Sequence, residues 1–202
     1  MTGSFRLSDV EVGDLEPGDV EHIVRYWYDS PPDYLQSIGV ARERLPSRRK
    51  MQEALALKLA RRETAPTILI IRLGGEGVGV HELTHIEPAV SAVMHAHIWH
   101  EEDRRRGIGV VSYVRAMERF FAAHRFERIV FETPRANQGA NRLKQKLGIE
   151  PVGDGTIYLP IMTRPMETTR FVVQASDLPR LVARLETIWR SREAAASPEP
   201  GQ

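Results

Sequence analysis

One stretch of the chain, residues 91–132, limits the possible folds more than any other. Residues 91–99 (SAVMHAHIW) have the composition of a strand. Apolar residues then recur at helical spacing between positions 107 and 126, and residues 128–132 (RIVFE) indicate another strand. A strand, a long helix and a strand in this order predict a crossover between two parallel strands. The sheet therefore needs at least one parallel pair.

The rest of the sequence predicts antiparallel neighbours and further helices around that crossover. A glycine turn separates two apolar segments, residues 67–73 and 78–86, which indicates a hairpin. Ser47 is suited to cap one helix, Gly148 to close another, and the pair Ser176 and Asp177 to cap the last. The other predicted strands cover residues 4–12, 156–162 and 169–174, and the other predicted helices cover 17–28, 48–62, 138–147 and 177–189. Together they predict a mixed α/β (α+β) sheet.

Composition and charge favour one ordinary globular domain and exclude several classes of function. Net charge is +1 over 202 residues, so no global field attracts nucleic acid or an anionic membrane. The chain has no cysteine, which removes disulfides and thiolate metal sites. It shows neither a signal-peptide pattern at its start nor an apolar window of membrane-spanning length. We therefore expect a single domain over residues 1–192, a disordered tail over 193–202 and a cytoplasmic location; a homodimer is compatible with these properties.

The loop at residues 104–109 (RRRGIG) has the properties of an anion site. It lies at a strand-to-helix transition, where the first backbone N–H groups of a helix have no partner and the helix dipole is positive. Gly107 and Gly109 leave room for a phosphate to approach the main chain, and three arginines add charged donors. The alternative is a solvated charge run ahead of a helix with an ordinary turn glycine.

A family resemblance rests on this loop and on the segment that follows it. The pattern R/Q-x-x-G-x-G/A, with Arg104, Gly107 and Gly109 at its three defining positions, resembles the acetyl-CoA loop of the GNAT superfamily of N-acetyltransferases. Downstream, Asn137 at a helix start and the closing LGIEPVG at residues 147–153 are similar to the same superfamily. The resemblance covers residues 78–153 well and the first 75 residues only by element order.

The resemblance implies a sheet flanked by helices on both faces and splayed apart between two parallel strands, here residues 92–99 and 128–132. The pantetheine of acetyl-CoA is then expected in the V, paired with main-chain groups of Ile98 and Trp99. Asn137 is expected to contact the pantetheine arm. The backbone amides of the loop are expected to hold the pyrophosphate, and the residues concerned are Arg105, Arg106, Gly107, Ile108, Gly109 and Val110.

A second motif competes with this interpretation. His81-Glu82-Leu83-Thr84-His85 is an H-E-x-x-H sequence, which binds zinc when both histidines lie on one helix. The glycines before it, Pro88 after it and its β-branched neighbours favour a strand instead. On a strand the motif predicts two polar histidines near a sheet edge and no metal site.

The candidate catalytic residues come from the strands beside the V and from the helix after it. His95 and His97 are two residues apart on a strand, so both share one face and can take a proton from an amine near working pH. The alternative is that both are hydrogen-bonded polar side chains on a partly exposed face, without a catalytic role. Similar paired histidines occur in some arylalkylamine N-acetyltransferases. Glu82 is a further candidate base, and a main-chain N–H near Trp99 is the candidate donor to the thioester carbonyl. Lys144 stands where the superfamily often has a tyrosine acid.

The acceptor side is the least determined part of the sequence. In the superfamily the first helices wall the acceptor, and here their aromatic residues are suited to a cationic or aromatic amine. An amphipathic helix face followed by a Pro-Pro turn explains the same residues without a ligand. The candidates are Tyr26, Trp27, Tyr28 and Tyr34. The sequence thus predicts direct acetyl transfer from acetyl-CoA to an amine of a small molecule, or alternatively of a protein, with a noncatalytic CoA-binding module or a zinc hydrolase as alternative functions.

Overall fold

The computed structural model describes residues 5–63 and 65–196 and has one seven-stranded sheet in the order β1-β2-β3-β4-β5-β7-β6. The strands are β1 Val10–Asp14, β2 Ile68–Leu73, β3 Glu76–Glu87, β4 Ser91–Ile98, β5 Arg128–Pro134, β6 Pro151–Ile157 and β7 Met166–Gln174. The helices are α1 Asp19–Asp29, α2 Pro32–Ser37, α3 Arg48–Ala60, α4 Ile108–His124, α5 Gln138–Lys146 and α6 Leu178–Ala196.

The sheet is antiparallel everywhere except between β4 and β5. That parallel pair is connected through α4, as the strand-helix-strand pattern predicts. Its register contains only three pairs, the last of them Val93 with Val130, after which both strands continue without pairing to each other. The mixed, mostly antiparallel sheet with one splayed parallel pair is confirmed.

Helices cover both faces of the sheet and form two apolar clusters. On one face α4 and α6 pack over the sheet, and the α4 side chains Val114, Met117 and Phe120 are fully buried. On the other face α1 and α3 pack over β2 and β3, with Val24 and Leu55 at the centre. The two faces of β4 are therefore covered by different helices, which decides what its alternating side chains contact.

Local signals place several helix ends as expected. The Ser47 hydroxyl accepts a hydrogen bond from the Lys50 N–H at 3.3 Å and caps α3. Gly148 follows α5 with φ of +72°, a conformation that glycine adopts without a Cβ penalty. At the last helix the expected caps Ser176 and Asp177 lie instead inside a short 3-10 turn, Ala175–Asp177; its cap is Gln174, whose N–H donates to the Asp177 carboxylate at 2.9 Å.

The structure corrects the predicted boundaries at four places. The strand expected over 156–162 lies at Pro151–Ile157 instead, because a turn joining Leu159 O to Met162 N ends it. Pro32 starts helix α2 rather than only ending the previous one, since a proline at the first position loses no helical bond. The first strand starts at Val10, after a short 3-10 turn; residue 4 lies outside the described residues. Helix α6 continues to Ala196, into the segment expected to be disordered from 193, and residues 197–202 lie outside the described residues.

In the described part of the chain, no helix has the length and apolar character that crossing a bilayer requires.

Candidate functional site

The site is built around the V between β4 and β5. Beyond Val93 and Val130 the two strands diverge, so the main-chain groups on their facing edges do not pair with each other. One side of the V is covered by α4 and α5, and the other side faces α1 and α2. Such an opening accepts an extended chain between the strands because both edges offer unpaired donors and acceptors.

The glycines of the 104–109 loop lie where a larger side chain would not fit. Gly107 precedes α4 with φ of +98°, a left-handed conformation. A Cβ on Gly109 would lie 2.8 Å from Cδ1 of Leu143, so α4 starts in close contact with α5. The Ile108 and Gly109 N–H groups at the start of α4 precede the first helical hydrogen bond, which makes this end of the V the place for an anion.

The three arginines of the loop have different surroundings. The Arg104 guanidinium donates to the carbonyl oxygen of Ile98 at 3.2 Å and of Trp99 at 3.4 Å. Arg106 forms a 2.7 Å ion pair with the largely buried Asp103. Only the Arg105 side chain is highly exposed, 87%, with a loose 3.8 Å contact to Glu101. Arg104 and Arg106 therefore shape the loop, whereas Arg105 is accessible to a phosphate.

A fourth arginine reaches the loop from the C-terminal helix. Arg192 of α6 donates to the Arg106 carbonyl, and its guanidinium lies over the rings of Phe5 and Trp189 at 5.4 and 5.1 Å. It occupies the space next to Gly107. No local pattern indicates this residue, because it lies 86 positions from the loop residue it contacts.

His97 faces α1 and α2, as the strand alternation predicts. Its Nδ1 is 2.9 Å from the Tyr26 hydroxyl, and the Trp27 ring is 5.0 Å away in an edge-on arrangement. The side chain is only partly accessible, and dense surroundings lower the pKa of His97 to about 3, with His95 and Arg104 adding to the effect. His97 is therefore neutral at pH 7 and has the form that accepts a proton.

His95 lies on the same face, one pair nearer the closed end of the V. Its Nε2 is 2.8 Å from the Thr84 hydroxyl, and burial lowers its pKa. Glu82 is its direct cross-strand neighbour but is ion-paired with Lys58 of α3. Glu82 is thus engaged by a lysine, and it reaches the V only past His95.

Lys144 is buried rather than solvated, with 1% of its surface exposed. Its Nζ lies 5.0 Å from the ring centroids of Tyr113 and Phe131 and 5.5 Å from that of Phe171. Phe131 is the first β5 residue beyond the last pair with β4, so the amine lies where the V opens. Burial lowers the pKa of Lys144 to about 7.

The backbone amide expected to polarise the carbonyl is occupied. The Trp99 N–H donates to the Val78 oxygen at 2.9 Å, because the antiparallel register that pairs Gly79 with Ile98 continues by one residue. The Val110 N–H likewise bonds the Gly107 oxygen at 3.1 Å. Both amides already have a partner in this arrangement, so the roles expected for Trp99 and Val110 in binding acetyl-CoA stay predictions.

Asn137 lies exposed at the start of α5, where its side-chain oxygen accepts from the Ala140 N–H at 3.1 Å. It caps the helix beside the end of β5. The expected contact with a pantetheine arm is compatible with this place, since the side-chain nitrogen is not needed for the cap.

The four aromatic acceptor candidates separate into two groups. Tyr26, Trp27 and Tyr34 surround His97, and the Tyr26 and Tyr34 hydroxyls are 2.9 Å apart. Tyr28 points elsewhere: its hydroxyl bonds the Pro46 oxygen and its ring lies under Arg48. The structure therefore does not bring Tyr28 to the site.

A cavity of about 630 Å³ opens at the carboxyl end of β5 and was not anticipated from the sequence. Three separate segments line it: residues 32–43 with α2, residues 134–136 after β5, and residues 163–167 before β7. Its charged lining residues are Arg42, Glu43, Arg135, Arg164 and Glu167. Because the segments are distant in sequence, only the fold brings them together.

Glu132 of β5 is a second feature missed from the sequence. Its side chain is 12% exposed and accepts from Thr168 Oγ1 at 2.8 Å and Arg170 Nε at 2.6 Å. Since Phe131 faces α4, Glu132 faces the opposite side, the same side as the histidines. Because Glu132 is ion-paired with Arg170, it ties β5 to β7 on this side of the V and adds no net negative charge there.

The H-E-x-x-H motif lies on β3 and not on a helix. His81 is fully buried against Tyr113, whereas His85 is exposed at a bulge with φ of +47°. The two rings therefore do not converge on one point. The expectation that His81 lies near a sheet edge is wrong, because β3 is an interior strand. Among the described residues, no group of three histidine or carboxylate side chains could hold a metal ion.

Solved acetyltransferase structures share this architecture. The chain matches Mycobacterium smegmatis RimJ in complex with CoA-disulfide with a TM-score of 0.67 and 17% identity, over 90% of each chain. It matches spermidine N-acetyltransferase from Vibrio cholerae in complex with CoA and spermine with a TM-score of 0.70 and 18% identity, over 85% of this chain and 99% of that one. For aminoglycoside acetyltransferase AAC(6')-Ib in complex with coenzyme A the values are 0.63 and 16%, over 85% and 98%.

The likeness is one of structure. The sequence matches no protein-family model and no curated protein.

Proposed function

Because the chain has the fold of the GNAT acetyltransferases, we propose that it transfers the acetyl group of acetyl-CoA directly to an amine of a small molecule. The observation that carries the proposal is the V between β4 and β5, which ends at the Gly107 to Gly109 turn and the start of α4. A cytoplasmic setting is part of the proposal.

The roles follow from the surroundings of each group. His97, held neutral, takes the proton of the incoming ammonium, and Lys144, at the opposite side of the V, donates a proton to the departing thiolate. The loop amides from Arg105 to Gly109 and the exposed Arg105 side chain hold the pyrophosphate. Acetyl-CoA supplies the acyl thioester.

The acceptor site in this proposal extends from His97 into the cavity beside α2. Spermidine N-acetyltransferase was solved with spermine and CoA, so a small amine fits the same architecture there. Here the cavity at the end of β5 is of the size of a small-molecule site. We therefore place the acceptor's body between α2 and the segment before β7.

Binding and turnover are tested separately. Acetyl-CoA and CoA are expected to raise the melting temperature of the protein, whereas ATP is not; a ligand at one hundred times its Kd adds about 2.7 kcal/mol to the free energy of unfolding. An amine panel assayed for CoA release then separates an enzyme from a noncatalytic CoA-binding module. If acetyl-CoA does not change the melting temperature, both the acetyltransferase and the noncatalytic CoA-binding module are excluded.

Gly107→Ala is expected to weaken acetyl-CoA binding by roughly tenfold or more, because a Cβ at φ of +98° strains the turn and collides with the Arg192 guanidinium, which displaces the loop that would hold the pyrophosphate. Titration calorimetry measures the change. Gly74→Ala is the matched control: its φ is +59°, nothing lies within 4 Å of the added Cβ, and it is far from the loop. Equal losses of affinity in both variants would contradict a role for the loop.

His97→Ala is expected to lower kcat by roughly 100-fold with little change in the KM for acetyl-CoA, because the imidazole contacts the amine side of the V. Steady-state kinetics with the best amine of the panel measures it. His85→Ala, at an exposed position of β3, is the control. A wild-type kcat in His97→Ala would exclude this residue as the base.

A further inference from the structure

A continuous row of polar side chains leads from His97 toward the protein surface. His97 Nδ1 and the Tyr26 hydroxyl are 2.9 Å apart, and the Tyr26 and Tyr34 hydroxyls are also 2.9 Å apart. Tyr26 is 5% exposed, whereas Tyr34 is only partly buried. Both distances are those of good hydrogen bonds, so the three groups form one chain.

We propose that Tyr26 and Tyr34 form a proton relay that carries the proton released at His97 out of the active site. The inference rests on the proposed function, in which His97 is the base that deprotonates the acceptor ammonium. It assigns to the two tyrosines a role beyond walling the acceptor site.

The need for such a relay follows from the surroundings of His97. Desolvation lowers the pKa of His97 to about 3, and the nearby His95 and Arg104 also disfavour its charged form. On α1 and α2 the facing polar groups are the two tyrosine hydroxyls, neither of which supplies a negative charge at pH 7. An imidazolium at this position is unstable, so His97 is an effective base only if the accepted charge leaves at once.

The relay moves one proton and leaves each group neutral. The acceptor ammonium gives its proton to Nε2 of His97 while the Nδ1 proton passes to the Tyr26 oxygen. The Tyr26 hydroxyl proton passes to Tyr34, and the Tyr34 hydroxyl proton passes to water. After product release, water in the cleft takes the proton from Nε2 of His97, and a proton from water passes back through Tyr34 and Tyr26 to Nδ1.

Arg104 gives the outer end of the relay a stabilising contact. Its guanidinium lies 4.1 Å from the centroid of the Tyr34 ring while it donates to the Ile98 carbonyl. This contact holds the Tyr34 ring in position at the outer end of the hydrogen-bonded row. The first arginine of the CoA loop therefore also touches the proton exit.

The kinetic test uses Tyr26→Phe and Tyr34→Phe, with Tyr158→Phe as the matched control. The Tyr158 hydroxyl contacts Arg44 on the surface and not the relay. Each relay variant is expected to lower kcat roughly tenfold or more with KM for acetyl-CoA unchanged. The loss should shrink as pH rises, because hydroxide then removes the proton directly, and the solvent deuterium isotope effect on kcat should increase. A wild-type kcat and pH profile in Tyr26→Phe would overturn the relay.

A readout without turnover separates failure of the relay from failure of the proposed function. Nitrogen NMR of the histidine rings is expected to show His97 with its proton on Nδ1 in the free protein, and on Nε2 in Tyr26→Phe. An Nε2-protonated His97 in the unsubstituted protein overturns the relay even if acetyl transfer is observed. If no amine is acetylated but the Nδ1 tautomer and its loss in Tyr26→Phe are found, the hydrogen-bonded path from His97 to Tyr26 is supported and the proposed acetyl transfer is refuted.

Discussion

Lys144→Met is expected to make the protein more stable and less active at the same time. At pH 7 we expect the free energy of unfolding to rise by about 2–4 kcal/mol, because a buried amine is replaced by an apolar side chain of similar length. In the described part of the chain, the Lys144 Nζ is surrounded by three aromatic rings and makes one long hydrogen bond, 3.4 Å, to the Ala140 carbonyl. These surroundings exclude water from the Lys144 ammonium and so destabilise its charged form.

The gain should depend on pH in a defined direction. Burial lowers the pKa of Lys144 from 10.5 to about 7, so between these values the unfolded chain binds more protons than the folded one. The wild-type protein therefore gains stability as pH rises from 7 to 10.5. Lys144→Met lacks this pH dependence. Its excess stability over the wild type should therefore be largest at or below pH 7 and should disappear near pH 10.

Turnover should fall in the same variant. If Lys144 protonates the departing thiolate, its removal lowers kcat by roughly 10- to 100-fold while the Kd for CoA stays unchanged. Lys146→Met, at an exposed position of the same helix, should change neither property. Urea denaturation at several pH values and steady-state kinetics measure the two effects. A destabilised Lys144→Met with full kcat would show that the lysine is structural.

The fold was predictable because its signals are local. The crossover of residues 91–132 requires a parallel pair whatever the rest of the chain does, and the turn glycines around residues 74–77 determine the hairpin beside it. The loop at Gly107 and Gly109 is a short pattern between a recognisable strand and a recognisable helix. The position of the anion site at the end of the V could therefore also be predicted from the sequence. The alternation of His95 and His97 likewise follows from strand geometry.

The features of the site that could not be predicted from the sequence depend on contacts between distant segments. Nothing near Lys144 in the sequence indicates burial, since its aromatic neighbours come from α4, β5 and β7. Arg104 belongs to the loop pattern, yet its contact with Tyr34 depends on how α2 packs over β4. The cavity beside β5 requires three segments at once. Propensity and motif cannot supply such information, because it exists only in the packed structure.

His81→Leu is expected to stabilise the protein, increasingly so toward acid pH. Both ring nitrogens of His81 are buried without a hydrogen-bond partner, and an unsatisfied buried polar group costs about 1–3 kcal/mol. Burial also lowers the pKa of His81 to about 3; the neighbouring His97 and Lys144 act in the same direction when protonated, and a backbone contact with His95, too long or misaligned for a hydrogen bond, acts weakly against it. Leucine has a similar volume and removes both costs.

The sign of the pH effect follows from proton binding. Below pH 6.5 the unfolded chain protonates His81 while the folded protein does not, so the free energy of unfolding falls as pH decreases toward 3. Between pH 7 and pH 5 this residue alone accounts for a loss of about 2 kcal/mol. His81→Leu should lose that part of the acid sensitivity and keep the part due to His97 and His95, whose pKa values are lowered as well.

Urea denaturation of the wild type and His81→Leu at pH 7, 6 and 5 tests this directly. The two stabilities should diverge as pH falls, whereas His100→Leu, at an exposed position, should follow the wild type. Acetyl transfer at pH 7 should be unaffected, because His81 faces α4 and Tyr113 rather than the amine side of the V. Parallel stability curves for wild type and His81→Leu would mean that His81 gains a proton in the folded state as readily as in the unfolded chain. Diverging curves would instead identify the first histidine of the H-E-x-x-H sequence as a buried neutral side chain, whose cost to the fold no metal offsets.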